Sequence, residues 1–571
     1  MEATSLPAED FTQLVVAMVQ CEFHVTARPF QTSAITVLAC QHRRLLLVAP
    51  TARGKSLCGL GSIKMLHGVG FFFEPLLSVG FNQASSAAKA GLRAFHWESL
   101  APASRVLLIK KLKAVKRRSD ATILIFLSPV SAQKRDLAAV VSLLVKRGVL
   151  SLTVFDEAHR IVKDTYRDFK SLEKSIVRKI NRSVLPVAVL VMTATWTKKL
   201  DDDLKVALPS LNLTDSMWSD VNRRGIKLLR AVEPLTLSPL KQFTSRHLAS
   251  SKENKVIWYT NDRSRAEGQL VTQGAKLLCS NEDAMFFTGS LGVIEKIYLI
   301  KLLVGAVVSS LVYLRLLIAN AAADVGLDSN FVTAVARDAP PPNIESISQE
   351  MGRMRPPLLE PTSGQSFEYL LALSVPTFCA LLSRIELSAT VEERRQQQFD
   401  AIEALDLIVL SRGCIHCRLE MHFGNPQKRG NSDVEACKLN GAMCWECSGS
   451  DSFPISRSAV VDVLDTACFL AGPVKAMDVV KKLAESHERI WGDELSQGVL
   501  KHAHLLTLQL LAARILTFEV VKAAAANRKA VVLLRWETTA CAPVAHVTRQ
   551  PRARRLAKEE DARWEGIHLR A

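Results

Sequence analysis

The chain has no apolar run of the ~20 residues needed to cross a bilayer. Its nearest candidate, Leu302 to Leu314, is bracketed by Lys301 and Arg315 and is too short. The opening, MEATSLPAEDF, is acidic and lacks the apolar core of a signal peptide. No disulfide framework is visible either. Of 12 cysteines, 5 fall between Cys414 and Cys447 and the others are scattered singly, whereas a small secreted scaffold spreads paired cysteines throughout. No repeat of fixed period is found, which excludes a solenoid. These absences predict an intracellular protein with no membrane partner.

What remains is ample for packed cores: 571 residues, 48% hydrophobic and 23% charged. At about 150 residues per domain the length predicts three to five domains. Lys and Arg number 73 against 56 Asp and Glu, and a net charge of +17 favours a polyanionic partner such as nucleic acid. A merely soluble basic protein would show the same balance.

Leu45-Leu46-Leu47-Val48 reads as a buried parallel strand. It runs into Ala49-Pro50-Thr51-Ala52-Arg53-Gly54-Lys55-Ser56 and then a helical stretch. Strand, tight loop ending Gly-Lys-Ser and helix together make a phosphate cradle. Backbone N–H groups face the phosphates, Lys55 reaches the β/γ-phosphates, and the Ser56 hydroxyl can hold Mg²⁺. A second apolar run, Val149 to Phe155, delivers Asp156-Glu157-Ala158-His159 at its carboxyl end. Adjacent carboxylates repel and resist burial. Beside a nucleotide-bound metal they have separate work: Asp156 holds Mg²⁺ and Glu157 orients and deprotonates the attacking water. The bland alternative is an acidic helix start.

With these motifs the chain resembles superfamily 2 helicases, the RecQ type in particular. Arg28-Pro29-Phe30-Gln31, with Ala34-Ile35, resembles the segment upstream of the phosphate loop, and the likeness implies that Gln31 reads adenine. Asp-Glu-Ala-His is a family form of the metal and base motif. Thr193-Ala194-Thr195, after the strand Val187 to Met192, resembles the motif linking hydrolysis to movement, and His159 and Gln349 join it in that role by the same likeness. Ser128-Pro129 resembles a loop touching the nucleic acid backbone. Further on, Lys255 to Tyr259 resembles the first strand of a second motor lobe, and Phe287-Thr288-Gly289-Ser290-Leu291 sits near the next expected position. Ala321 to Asp328 resembles a nucleotide and DNA sensor through Gly326 and Asp328, and Gln349-Glu350-Met351-Gly352-Arg353 opens an arginine motif.

The resemblance implies an α/β chain of two RecA-like parallel-sheet lobes, a helical zinc-binding subdomain and a winged-helix-like domain. The limits expected are 1–22 for an N-terminal extension, 23–235 and 236–362 for the lobes, 363–453 for the zinc part, 454–540 for the winged helix and 541–571 for a basic tail. It implies an ATP-dependent DNA helicase moving 3′ to 5′ on single strands and opening duplex junctions, nuclear if eukaryotic, with Arg353 and Arg355 reaching the nucleotide from the second lobe. Three departures mark this chain. Ala52 stands where the family has Gly, Pro356 occupies the usual arginine-finger position, and Tyr166-Arg167-Asp168-Phe169 only partly echoes the aromatic loop. A DNA-binding protein on a decayed helicase scaffold is therefore the rival reading, with an RNA helicase third.

The clustered cysteines predict structural Zn²⁺. Cys414-x-x-Cys417 and Cys444-x-x-Cys447 supply four thiolates, Cys437 competes for a place, and His416 and His422 are outside candidates. Apolar spacing between Ala459 and Leu516 predicts short helices, followed by strands Ile515 to Val521 and Ala530 to Trp536. As a winged helix this would turn Lys501, His502 and His504 toward phosphates, with Arg528-Lys529 at the wing tip. The run Lys110 to Arg118 reads as a solvated face, a strand-tracking groove or an import signal, and the stretch Arg549 to Arg555 as a basic tail.

Overall fold

In the computed structural model the chain forms two compact units, Met1–Val221 with Glu420–Arg429, and Asn222–Leu419 with Gly430–Ala571. The structure describes residues 8–51, 53–74, 77–160, 172–219, 225–234, 236–251, 253–261, 284–287, 291, 295, 299, 314–320, 332–354, 366–388, 390–410, 413–423, 444–445, 452–453, 455–469, 473–492, 498–521, 531–536 and 569–570.

The first unit is built on β1 (Arg44–Val48), β2 (Gly68–Phe73), β3 (Arg93–His96), β4 (Thr122–Leu127), β5 (Leu150–Phe155), β6 (Ala188–Thr193) and β7 (Asp215–Trp218). Their spatial order is β3-β4-β2-β5-β6-β1-β7, every pair parallel. The inner strands are continuous apolar runs because helices cover both faces. Residues alternate between two cores. Leu45, Leu47, Phe72 and Phe126 face α1 (Ala8–Phe23), α2 (Pro29–Gln41), α3 (Ser56–Leu66) and α4 (Leu77–Lys89). Leu46, Val48, Phe71 and Ile125 face α5 (Pro102–Ala114), α6 (Arg135–Lys146) and α7 (Lys198–Ala207). Phe72 stacks on Phe126 with centroids 4.8 Å apart, and each such ring contributes roughly 1.5–3 kcal/mol by burial. Because all strands point one way, every strand's carboxyl end opens on the same edge.

The second unit repeats this plan with β8 (Ile226–Val232), β9 (Lys255–Tyr259), β10 (Ala284–Phe287), β11 (Leu316–Ala319), β12 (Val332–Arg337) and β13 (Phe367–Leu373). The order is β10-β11-β9-β12-β13-β8, again all parallel. The chain is thus α/β with two parallel-sheet lobes. The expected limits of the second lobe need correction. β8 and β13 pair over seven residues, Ile226 with Phe367 through Val232 with Leu373, so strands on both sides of 236–362 belong to this sheet. Their apolar runs lie outside the motifs on which those limits were drawn. Helix α8 (Leu237–Ser250) packs Leu240 and Phe243 on Val256 and Trp258, and α9 (Ile344–Met351) follows β12.

Beyond β13 come α10 (Val375–Ser388), α11 (Val391–Val409), β14 (Ser452–Phe453), α12 (Arg457–Val463), β15 (Val474–Lys475), α13 (Ala476–Glu485), α14 (Val499–Ala512), β16 (Leu516–Val521), β17 (Val531–Trp536) and β18 (Leu569–Arg570). β15, β17 and β16 form an antiparallel sheet in that order. The last strand, β18, pairs with β14, so the expected basic tail ends in sheet pairing. Helix α14 is buried on every side from His502 to Ala512. Its apolar residues run right round the helix, the pattern of an interior segment rather than of one lying on phosphates. Among the described residues no helix is long and apolar enough to cross a membrane.

Candidate nucleotide site at the carboxyl edge of the first sheet

The loop after β1 is anchored by the Ala49 amide, which donates to Thr193 O of the neighbouring strand at 3.1 Å. Gly54 adopts φ +78°, and a Cβ there would lie 2.6 Å from Gln31 Nε2, so glycine is needed for both conformation and space. Lys55 precedes α3 and is 7% exposed, its Nζ donating to Pro50 O at 3.4 Å. Ser56 opens the helix. Gln31 clasps this loop rather than projecting from it. Its Nε2 donates to Gly54 O at 2.9 Å and Arg53 O at 3.3 Å, while its Oε1 accepts from the Arg28 amide at 2.8 Å. Thr51 lies in the turn, and Ala52 is outside the described residues.

Asp156 and Glu157 leave β5 on the same edge. Asp156 is 5% exposed. Its Oδ1 accepts from the Glu157 amide at 2.8 Å and its Oδ2 from Gln83 Nε2 at 3.1 Å. Burial, and then the Glu157 charge, raise its pKa, while Lys55 and Gln83 pull it back. Glu157 sits at φ +46°, a conformation that non-glycine residues hold only when their surroundings enforce it. The enforcing contacts continue along the chain. Ala158 N donates to Met192 O at 3.0 Å, and His159 Nδ1 lies 3.1 Å from Thr193 Oγ1 and 3.4 Å from Glu157 Oε2. The Thr193 hydroxyl gives its one proton to Thr195 O at 2.9 Å, so His159 Nδ1 carries the hydrogen on this side. The Thr195 amide closes the loop onto Thr193 Oγ1 at 3.2 Å. A connected path therefore runs Glu157, His159, Thr193, Thr195.

Two residues at this edge were not singled out in the sequence. Gln83 on α4 is the donor that orients Asp156. Glu74, immediately after β2, is 2% exposed, and burial and the neighbouring Asp156 hold its carboxyl well above the usual carboxylate range. The detectable signal was a lone carboxylate ending the all-apolar strand Gly68–Phe73, at the level where Asp156 ends β5. Ser128, after β4, is fixed by its amide on Glu98 Oε1 at 2.8 Å and accepts from Ser131 N at 3.2 Å.

The donors present suit the ligands expected. Asp156 and Ser56 offer hard oxygens of the kind that hold Mg²⁺, and the N-terminus of α3 with Lys55 suits phosphate.

In the second unit, Gln349 is half-buried on α9 and Arg353 is 7% exposed beyond its end. Glu350, between them, is fully buried, pairs with Arg337 and accepts from Tyr369 Oη at 2.7 Å. Arg355, Gly326, Asp328, Arg528, Lys529, Cys437 and Cys447 lie outside the described residues. The Cys414 and Cys444 sulfurs are 4.0 Å apart. Lys501 is partly exposed, 3.8 Å from Glu233. The expectation that His502 and His504 meet phosphates is overturned. His504 is 0% exposed, its Nδ1 accepts from Val375 N at 3.3 Å, and burial lowers its pKa to about 4. A neutral, enclosed imidazole offers a phosphate nothing.

Residues 28–202 match the family model DEAD/DEAH box helicase. The chain is 22% identical over 494 residues to the ATP-dependent DNA helicase RecQ of Bacillus subtilis, covering 83% of this chain and 74% of that protein. It is 23% identical over 418 residues to the ATP-dependent DNA helicase Q-like 2 of Arabidopsis thaliana, covering 70% of this chain and about half, 54%, of the relative. Among solved structures, the Mycobacterium smegmatis helicase Lhr bound to ssDNA and AMP-PNP aligns with TM-score 0.47 and 15% identity, over 90% of this chain and 62% of that one.

Proposed function

We propose that the chain is an ATP-dependent DNA helicase of RecQ type, moving 3′ to 5′ along single-stranded DNA. The observation that carries this reading is the convergence of Lys55, Asp156, Glu157 and the His159–Thr193–Thr195 path on one sheet edge. In this reading Lys55 exchanges Pro50 O for the β/γ-phosphates, and Glu157 takes the proton of the attacking water. Pro50, Thr51, Ala52, Arg53 and Gly54 wrap the phosphates, and Gln31 holds that loop in shape for adenine. Bound Mg²⁺, held by Ser56 and Asp156, neutralises phosphate charge. In this reading Gly326 and Asp328 sense nucleotide, Gln349 couples turnover to movement, and Arg353 and Arg355 stabilise charge on the reacting phosphate. His159, Thr193 and Thr195 transmit the change, because a shift of Glu157 is felt directly by His159. Ser128 offers a positioned hydroxyl to the DNA backbone.

The order of elements α12, β15, α13, α14, β16, β17 with an antiparallel β15-β17-β16 sheet supports the winged-helix assignment. With α14 enclosed, its DNA contacts fall to Lys501 at the helix start and to Arg528 and Lys529 of the wing. We infer structural Zn²⁺ from the cysteine spacing; the Cys414 and Cys444 sulfurs lie 4.0 Å apart, and among the described residues no group of three or more metal-binding side chains gathers. Tetrahedral thiolates at about 2.3 Å from zinc stand about 3.8 Å apart. Two ligand places remain for Cys417 and Cys447, with Cys437 competing for one of the four. Metal analysis tests this: wild type should hold one zinc per chain, and Cys414→Ser together with Cys444→Ser should hold none.

ATP turnover with and without single-stranded DNA, compared with RNA, tests the main reading. Strand displacement from 3′ and 5′ overhangs then tests polarity. Pro356 at the finger position favours one alternative, a decayed scaffold that binds DNA without turnover. Measurable unwinding eliminates that alternative.

A further inference from the structure

The edge of the first sheet opposite the nucleotide site carries a row of cations contributed by successive strand starts. Arg93 begins β3. Lys116 and Arg117 precede β4, Lys146 precedes β5, Arg182 precedes β6 and Arg43 precedes β1, and all six are exposed. In the order β3-β4-β2-β5-β6-β1, five strand spacings of about 4.8 Å spread them over about 24 Å. The base beneath them is fastened. Arg118 Nε donates to Gly148 O at 2.9 Å, its Nη2 to Leu150 O at 3.2 Å and to Pro186 O at 2.6 Å, tying together the approaches to β4, β5 and β6. Arg147 Nη1 adds a bond to Val115 O at 3.3 Å.

Among the described residues few carboxylates answer this charge. Asp120 is taken up by the amides of Lys116 and Arg117 at 3.0 and 2.8 Å, and Asp215 pairs with Arg43 at 2.9 Å. Strands of about six residues hold this edge some 20 Å from Lys55 and Asp156, so the row cannot serve the nucleotide. Like charges spread along a rigid edge repel one another and gain most from a partner with regularly spaced negative charge.

We propose that this amino-terminal edge of the first lobe is a second nucleic-acid surface, which grips the phosphate backbone of duplex DNA independently of nucleotide. The site extends the helicase reading, and its test stands apart from that reading because it needs no ATP. The probe is a blunt duplex of about 20 base pairs, titrated against the full chain by fluorescence anisotropy over a range of salt concentrations. The variant combines Arg93→Glu, Lys116→Glu, Lys146→Glu and Arg182→Glu. Each lost phosphate contact lowers the slope of log K against log salt by about 0.9, so the slope should fall by about 3 to 4. Affinity at low salt should drop at least tenfold, with turnover on short single-stranded DNA unchanged within about twofold. If the quadruple variant misfolds by circular dichroism, Lys116→Gln with Lys146→Gln should lower the slope by about 2. An unchanged slope overturns the proposal. So does displacement of the duplex by polyglutamate at equal charge concentration with equal potency, which assigns the edge to an acidic protein. Absence of ATP turnover in the wild type would sink the helicase reading and leave this one standing.

Discussion

The two sheets share one architecture and use their carboxyl edges differently. In the first, carboxylates crowd together: Asp156 keeps company with Glu74 and Glu157, takes Gln83 and the Glu157 amide as donors, and Glu157 sits in a backbone conformation it would not choose alone. In the second, the comparable charges neutralise one another inside the lobe. Arg337 is joined to Glu350 and Asn261, and Glu350 to Tyr369. An edge that must receive an ionised ligand keeps charge poised and imperfectly paired. An edge that must hold its own shape pairs every charge it buries. Glu350 shows that a residue inside a motif of functional appearance can be a strut.

The largest effect expected tests the first edge. Lys55→Ala or Glu157→Gln should lower DNA-stimulated ATP turnover by roughly 10³-fold, because in the proposed function each removes a group that acts on the reacting phosphate. Steady-state ATPase kinetics check this, and wild-type turnover in either variant breaks the site assignment. Next comes the second edge. Glu350→Ala strands the Arg337 guanidinium in the interior and should destabilise its unit by roughly 3–5 kcal/mol, read as a lower denaturation midpoint. Turnover lost without loss of stability would instead make Glu350 a functional residue and erase the contrast.

A third measurement uses pH. His504 has a folded-state pKa of about 4 against an ordinary 6.5, so the folded form prefers it neutral. The unfolded chain takes up a proton first as pH falls below 6.5, and stability drops until pH reaches about 4, by about 3 kcal/mol in total. His504→Gln should flatten this dependence in urea titrations between those two values. The smallest effect sharpens the picture of the first edge. Gln83→Ala should lower turnover about tenfold while leaving the denaturation midpoint within about 0.5 kcal/mol, since Gln83 acts by orienting Asp156.

Much of this was legible in the residues. The strands around Leu45–Val48, Ile123–Leu127 and Lys255–Tyr259 announced themselves as short apolar runs, and the polar residues at their ends marked the edge where chemistry collects. Glu74 and Gln83 were harder to see, since no spacing rule ties residues on β2 and α4 to a carboxylate on β5. His502 and His504 were misread because a histidine beside a lysine on a helix looks like a phosphate contact until its neighbours are known.

The sequence by itself determined the α/β character, the phosphate loop and the position of each motif along the chain, because local patterns of apolarity and glycine are read over a few residues. Only the tertiary structure decided that β8 and β13 join the second sheet, that α14 is interior, and that cations as far apart in the chain as Arg43 and Arg182 share one edge. Those outcomes depend on which strands become neighbours, and strand pairing is a contest among distant segments that no local window contains.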